Sequence, residues 1–260
     1  MARGPFAVSL LPLFTFGLGP QGTPPVELSR SQLIRGAGIG AYGALLVGIL
    51  NAENSPDYQN AVRRTIAGAV PRGGMKVLEV GIGTAPNLRA YPRGTRLVGF
   101  DARLQDDDSR AYDEARAARR GVRLTWVEGD AAKMPFDDGA FDAVVAVKAL
   151  CSVAEPRAVL REVSRVLAPG GRFGFVEHVA ADEGTVLERT QLLLDPLQQV
   201  VAGNCHLHRD TDRLIARSVG DPAAAAADSA ALFSRAEAAE RYIVWPMWPI
   251  AQQASGVVVK

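Results

Sequence analysis

An α/β fold with a doubly wound sheet is what this 260-residue sequence predicts, and three observations carry the prediction. Apolar runs of strand length recur along the chain, stretches with helical spacing separate them, and the first run, Met75 to Val80, empties into a glycine turn. Buried strands alternating with helices pack as a sheet covered on both faces. A separate apolar extension precedes this pattern at the N-terminus.

The elements follow in order. Ala61 to Ala69 reads as an amphipathic helix closed by Pro71 and Gly73-Gly74, and Met75 to Val80 is too short for a helix. Further strands are expected at Arg96 to Phe100, Arg123 to Glu128, Phe141 to Val147, Arg172 to Val176, Arg241 to Val244 and Gly256 to Val259. Helices are expected at Ser109 to Arg120, Arg157 to Leu167, Val186 to Val201 and Asp210 to Ser218, with a kink or boundary at Asp195-Pro196. Asp221 to Leu232 is alanine-rich without a large apolar face and reads as a surface insertion.

Apolar side chains make up 48% of the chain and charged ones 22%, which fits one large globular domain and excludes disordered and fibrous classes. Twenty-nine basic against 28 acidic residues give a net charge of +1, so no basic face for nucleic acid is expected. Cys151 and Cys205 cannot build a disulfide framework. With His178, His206 and His208 they match no zinc-ligand spacing along the chain, and no metal is expected.

The shift in pattern predicts a targeting or membrane-associated segment at residues 1–52 ahead of a folded domain at 53–260. Gly4 to Val26 is uncharged and broken by five prolines, so no continuous helix is expected there. Gly36 to Ala52 is uncharged and free of proline, but shorter than the roughly 20 residues that cross a bilayer. A membrane-associated helix, the apolar part of a cleaved export signal, and a buried docking helix all remain open for it. Ser29 to Arg35 resembles a degraded twin-arginine signal. Membrane contact through residues 6–52 is the expectation, and membership of a protein complex stays open.

Glu79-Val80-Gly81-Ile82-Gly83-Thr84-Ala85 runs from the first core strand into Pro86-Asn87-Leu88-Arg89. Such a turn presents backbone amides at the carboxyl edge of a sheet, and Gly81 and Gly83 let a ligand approach the main chain. Twenty residues past Gly81, Asp101 ends the second strand, where a carboxylate accepts ribose hydroxyls. Asp130 and Ala131 follow the third strand and offer an acid and an amide to a base edge. Pro86 stands where a dinucleotide fingerprint needs its third glycine, which disfavours NAD.

These blocks resemble the class I S-adenosylmethionine-dependent methyltransferases, and so do Phe141 to Val145 and Leu167-Ala168-Pro169-Gly170-Gly171-Arg172. Val77 to Leu88, Leu150-Cys151-Ser152-Val153, Val176 to Ala180, Leu194-Asp195-Pro196 and Asn204 to Leu207 are similar to the membrane-associated thiol S-methyltransferases and their plant relatives. The resemblance implies a Rossmann-like, mostly parallel sheet of seven strands with an antiparallel last strand. It also implies S-adenosylmethionine as cofactor, held by Glu79, Gly81, Gly83, Thr84, Asn87, Asp101, Asp130 and Ala131. Three departures stand out: Ala85 replaces a usual glycine, Gly203-Asn204 stands for Asp-Gly, and the 221–232 stretch is extra.

Methyl transfer from a sulfonium needs an oriented, desolvated nucleophile more than elaborate machinery. The resemblance implies a small, lipophilic acceptor, with a thiol first in line. Glu177, His178 and His206 are the candidate catalytic groups, and Lys148, Cys151, Cys205 and His206 the candidate acceptor pocket. A non-catalytic subunit of a membrane complex, keeping a degraded version of this fold, is the alternative. The acid-poor leader and plant-like blocks suggest a plastid address; the animal relatives imply the endoplasmic reticulum or lipid droplets instead.

Overall fold

The computed structural model describes residues 52–220 and 231–260. The N-terminal segment up to Asn51, with its targeting and membrane expectations, and nearly all of the 221–232 insertion lie outside the described residues.

Helix α1 (Pro56–Ala69) begins five residues before the expected start. Ser55 caps it by accepting the Tyr58 amide, and Pro56 occupies the first turn, where a missing amide hydrogen costs nothing. Its inner face buries Tyr58, Ala61, Val62, Thr65, Ile66 and Ala69 at helical spacing. There follow β1 (Lys76–Val80), a 3-10 turn (Pro86–Arg89), β2 (Arg96–Asp101), α2 (Asp107–Arg119) and β3 (Arg123–Glu128). Then come β4 (Phe141–Val147), α3 (Pro156–Val166), β5 (Leu167–His178), α4 (Val186–Val201), α5 (Thr211–Arg217), β6 (Arg235–Ile243) and β7 (Gln252–Val259).

The seven strands lie in the order β3-β2-β1-β4-β5-β7-β6. Strands β1 to β5 pair in parallel, while β7 runs antiparallel to both β5 and β6. Successive side chains point to opposite faces, so the sheet carries two cores. Val77, Leu97, Ala143, Val145 and Val176 pack with α1 on one face. Leu78, Val144, Ala146, Phe173 and Phe175 pack with α3 on the other.

Strand β5 spans Leu167–His178, beyond the expected Arg172 to Val176 at both ends, and two further strands start early. Strand β6 starts at Arg235, six residues early, because it is the edge strand: its charged side chains face solvent and its Ala-Glu composition reads as helix. Strand β7 starts at Gln252, its first half hidden by the polar Gln252, Gln253 and Ser255, which are nevertheless buried. Helix α4 runs through Pro196 without a boundary there.

The strand order reverses at β1, whose neighbours β2 and β4 lie on its opposite sides. Ligands of doubly wound sheets bind at that reversal, outside the carboxyl ends of the strands.

Candidate functional site

At the carboxyl end of β1 the chain turns sharply through Gly81, with φ +71°. A Cβ added at Gly81 would stand 2.7 Å from the Cβ of Ala149, so only glycine fits. The Gly81 amide donates to the Phe100 carbonyl at 2.8 Å, pinning the turn to β2. From the end of β2, Asp101 accepts the Gly83 amide at 3.0 Å and the Arg103 amide at 3.2 Å. Gln105 donates to the Gly83 carbonyl at 2.9 Å and closes the loop from outside. After β3, Asp130 accepts the Ala132 amide at 2.8 Å.

Gly81, Asp101 and Asp130 border one cleft of about 520 Å³, inside the range of roughly 300–1,000 Å³ typical of small-molecule sites. Gly81, Asp101, Asp130, Ala131 and Lys148 line it, joined by Phe100, Ala149, Ser152, Val153, Gly203 and Asn204. A nucleoside fits this border: a glycine turn that a Cβ would block, and two carboxylates at neighbouring strand ends. A second recess of about 360 Å³ lies on Ile215, Val219, Ala239 and Val258, and none of the cofactor-loop residues lines it.

Other expected cofactor residues work from beneath the loop. Glu79 is buried, and its carboxylate accepts from Asn87 at 2.7 Å and from the Tyr91 hydroxyl at 2.9 Å. Burial pushes the Glu79 carboxyl up to about 7, against the lowering pull of those two hydrogen bonds. Thr84 is exposed outside the cleft lining. Ala85 adopts the left-handed region (φ 47°, ψ 50°), so the departure from glycine is tolerated at the cost of strain. Tyr91 went unrecognised in the sequence, where nothing marks a tyrosine as the partner of a buried acid.

The opposite wall runs from Lys148 to Ala154. Lys148 has φ +55°, and its ammonium pairs with Glu53. Glu177 accepts the amides of Ala149 at 2.9 Å, Leu150 at 3.0 Å and Cys151 at 3.3 Å, so it braces the wall and does not line the cleft. Burial raises its pKa while these amides oppose the rise. Arg209, absent from the expected set, donates to the Leu150 and Val153 carbonyls at 2.8 and 2.7 Å. Asn204 reaches the Ser152 carbonyl at 2.9 Å. Its φ of +64°, next to Gly203 at +59°, explains how Gly203-Asn204 substitutes for Asp-Gly: asparagine is among the few residues at ease there.

Behind this wall Cys151, His178 and Cys205 meet. The Cys205 Sγ lies 3.1 Å from His178 Nε2 and 3.8 Å from Cys151 Sγ, and all three side chains are buried. The contact with Cys151, aided by the neighbouring His178, holds the Cys205 thiol well below its ordinary range. That same contact and burial push Cys151 up. His206 stands apart: its amide donates to the Cys151 carbonyl at 2.9 Å, and its ring Nδ1 lies 3.7 Å from Asp195. The sequence offered no cysteine-histidine spacing because these three groups come from separate segments that only the fold unites.

Residues 78–175 match the family model described as a methyltransferase domain. A human thiol S-methyltransferase, TMT1A, is 35% identical over 58% of this chain and 62% of its own length. A sterol 24-C-methyltransferase from Yarrowia lipolytica is 39% identical over 42% of this chain and 29% of its own. The chain therefore spans less than two thirds of the curated relatives it matches. Among solved structures, the YcgJ protein of Bacillus subtilis superposes with a TM-score of 0.56 at 17% identity, covering 77% of this chain and 98% of its own, which shows the shared fold. Residues 78–175 thus match a methyltransferase domain, the sheet order and the cleft at its carboxyl edge agree with that match, and the chain is similar to the thiol S-methyltransferases over part of its length.

Proposed function

We propose that residues 53–260 transfer the methyl group of S-adenosylmethionine to a small, lipophilic thiol. The observation that carries this reading is the convergence of Gly81, Asp101 and Asp130 on one cleft closed by the Lys148–Ala154 wall. When bound, the cofactor supplies a methyl group on a positively charged sulfur. Asp101 and Asp130 orient the nucleoside through its hydroxyls and base, and the glycine turn admits the amino-acid tail. The mostly apolar wall of Ala149, Val153 and Ala154 strips water from the acceptor. A thiol ionises near pH 8.5, so a nearby cation is help enough. Lys148 is the cationic side chain among the lining residues, and exchange of its Glu53 partner for the acceptor would favour the thiolate. Names of the curated relatives support a thiol acceptor, while the sterol enzyme among them keeps carbon acceptors in the test set.

Membrane contact through residues 6–52 belongs to the same reading. Among the described residues no helix is long and apolar enough to cross a membrane. An exposed stripe on α4 supports contact by another route: Val186, Leu193 and Val200 recur every seventh residue, at 72%, 78% and 83% exposure.

The test is a panel of small thiols, amines, alcohols and a sterol incubated with the full chain and S-adenosylmethionine, with methylated products identified by mass spectrometry. Methyl thioethers formed from thiols are the expected products. Turnover confined to the amines, alcohols or sterol would refute the thiol reading.

A further inference from the structure

The buried trio behind the cleft wall has no part in the transfer described above. Cys151, His178 and Cys205 each offer one ligand atom, and the three atoms lie within 4.8 Å of one another. Two thiols and an imidazole are the donor set that borderline and soft cations select. The separations also suit an ion. With zinc–sulfur bonds of about 2.3 Å, two sulfurs of a tetrahedral site stand about 3.8 Å apart. The Cys151 and Cys205 sulfurs are 3.8 Å apart. His178 Nε2 lies 3.1 Å from Cys205 Sγ, near the sulfur–nitrogen edge of about 3.5 Å in the same polyhedron.

The ligands are also held in place before any ion arrives. Cys151 sits in a turn whose amides are fixed by Glu177. His178 ends β5, paired with Gln253 of β7. The Cys205 amide donates to the carbonyl of Ala202 at the end of α4, and the next amide, His206, donates to the Cys151 carbonyl. Arg209 spends its guanidinium on the carbonyls of Leu150 and Val153.

We propose that Cys151, His178 and Cys205 bind one zinc ion. Three protein ligands leave one coordination position for a water or an exogenous ligand. The ion would tie together the cleft wall, the end of β5 and the 203–206 loop, two of which line the acceptor side. Binding to the folded chain alone would then stabilise it by mass action.

The chain contains only these two cysteines, which makes the test direct. The full chain, reduced and stripped with a chelator, is titrated with cobalt(II) as the probe and then with zinc. The expected result is saturation at one equivalent, with intense sulfur-to-cobalt charge-transfer bands that zinc abolishes and that the Cys151→Ser/Cys205→Ser double variant lacks. On the unaltered chain, a thiol reagent counts two reactive thiols after the chelator and unfolding. Under native conditions one equivalent of zinc slows both at least tenfold. The thiol count needs no variant and stands even if the serine chain fails to fold. Absence of charge-transfer bands, equal thiol reactivity with and without zinc, or a Cys151–Cys205 disulfide that persists under reductant would each overturn the proposal.

Discussion

Gly81 and Ala149 are packed so closely that a Cβ on Gly81 would come within 2.7 Å of the Ala149 methyl. The cofactor turn and the acceptor wall are thus in contact at their narrowest point, and the glycine also holds φ +71°. Gly81→Ala should weaken S-adenosylmethionine binding at least tenfold, about 1.4 kcal/mol, through both the clash and the strained turn. Adding Ala149→Gly removes the clash and should recover part of that loss. Calorimetric titration of both variants checks the pair, and full affinity in the single variant would refute the packing argument.

Glu79 gives a pH signature. Its folded-state carboxyl titrates near 7, well above the ordinary glutamate range, because burial disfavours the charge. The folded chain therefore holds this proton more tightly than the unfolded chain does. Its contribution to stability is complete below the ordinary range and is lost as pH rises toward 7, at most about 3 kcal/mol. Glu79→Gln should be more stable than the parent at pH 8 and no more stable at pH 4. Denaturant titrations at the two pH values decide it; a variant less stable at pH 8 contradicts the assignment.

Ala85 departs from the family's glycine yet should cost little. Relief of left-handed strain, about 1–2 kcal/mol, is opposed by glycine's greater freedom in the unfolded chain and by loss of a buried methyl, each somewhat under 1 kcal/mol. Ala85→Gly should shift stability by less than about 1 kcal/mol and leave cofactor affinity within a factor of about 3. A gain above about 2 kcal/mol by thermal or chemical melting would show that the strain was underestimated.

Much of this arrangement is legible in the sequence, for physical reasons. Buried parallel strands must be largely apolar, so β1, β2 and β4 stand out, and a tight turn at their carboxyl edge demands Gly81. Asp101 and Asp130 are readable because strand ends fall at regular intervals. What stays hidden involves partners distant in sequence. Nothing local shows that Glu177 serves the amides of 149–151, that Tyr91 satisfies Glu79, or that Cys151, His178 and Cys205 converge. Edge strand β6 escapes for another reason: an exposed strand can keep a helix-like composition when its neighbour β7 supplies the pairing.

The α4 stripe yields a prediction about surfaces. Leu193→Glu with Val200→Glu places two charges on an exposed apolar face and should leave the fold intact. Co-flotation of the full chain with phospholipid vesicles should drop several-fold in this variant. Unchanged flotation would assign membrane contact elsewhere in the chain.

The most direct test of the account is calorimetric titration of the full chain with S-adenosylmethionine beside an Asp101→Ala variant of verified fold. The account predicts one binding site, weakened in the variant by about 1.5–3 kcal/mol, the worth of hydrogen bonds to a charged group. Equal affinity in the two chains would remove Asp101 from the site, and no binding by the folded parent would contradict the methyltransferase reading itself.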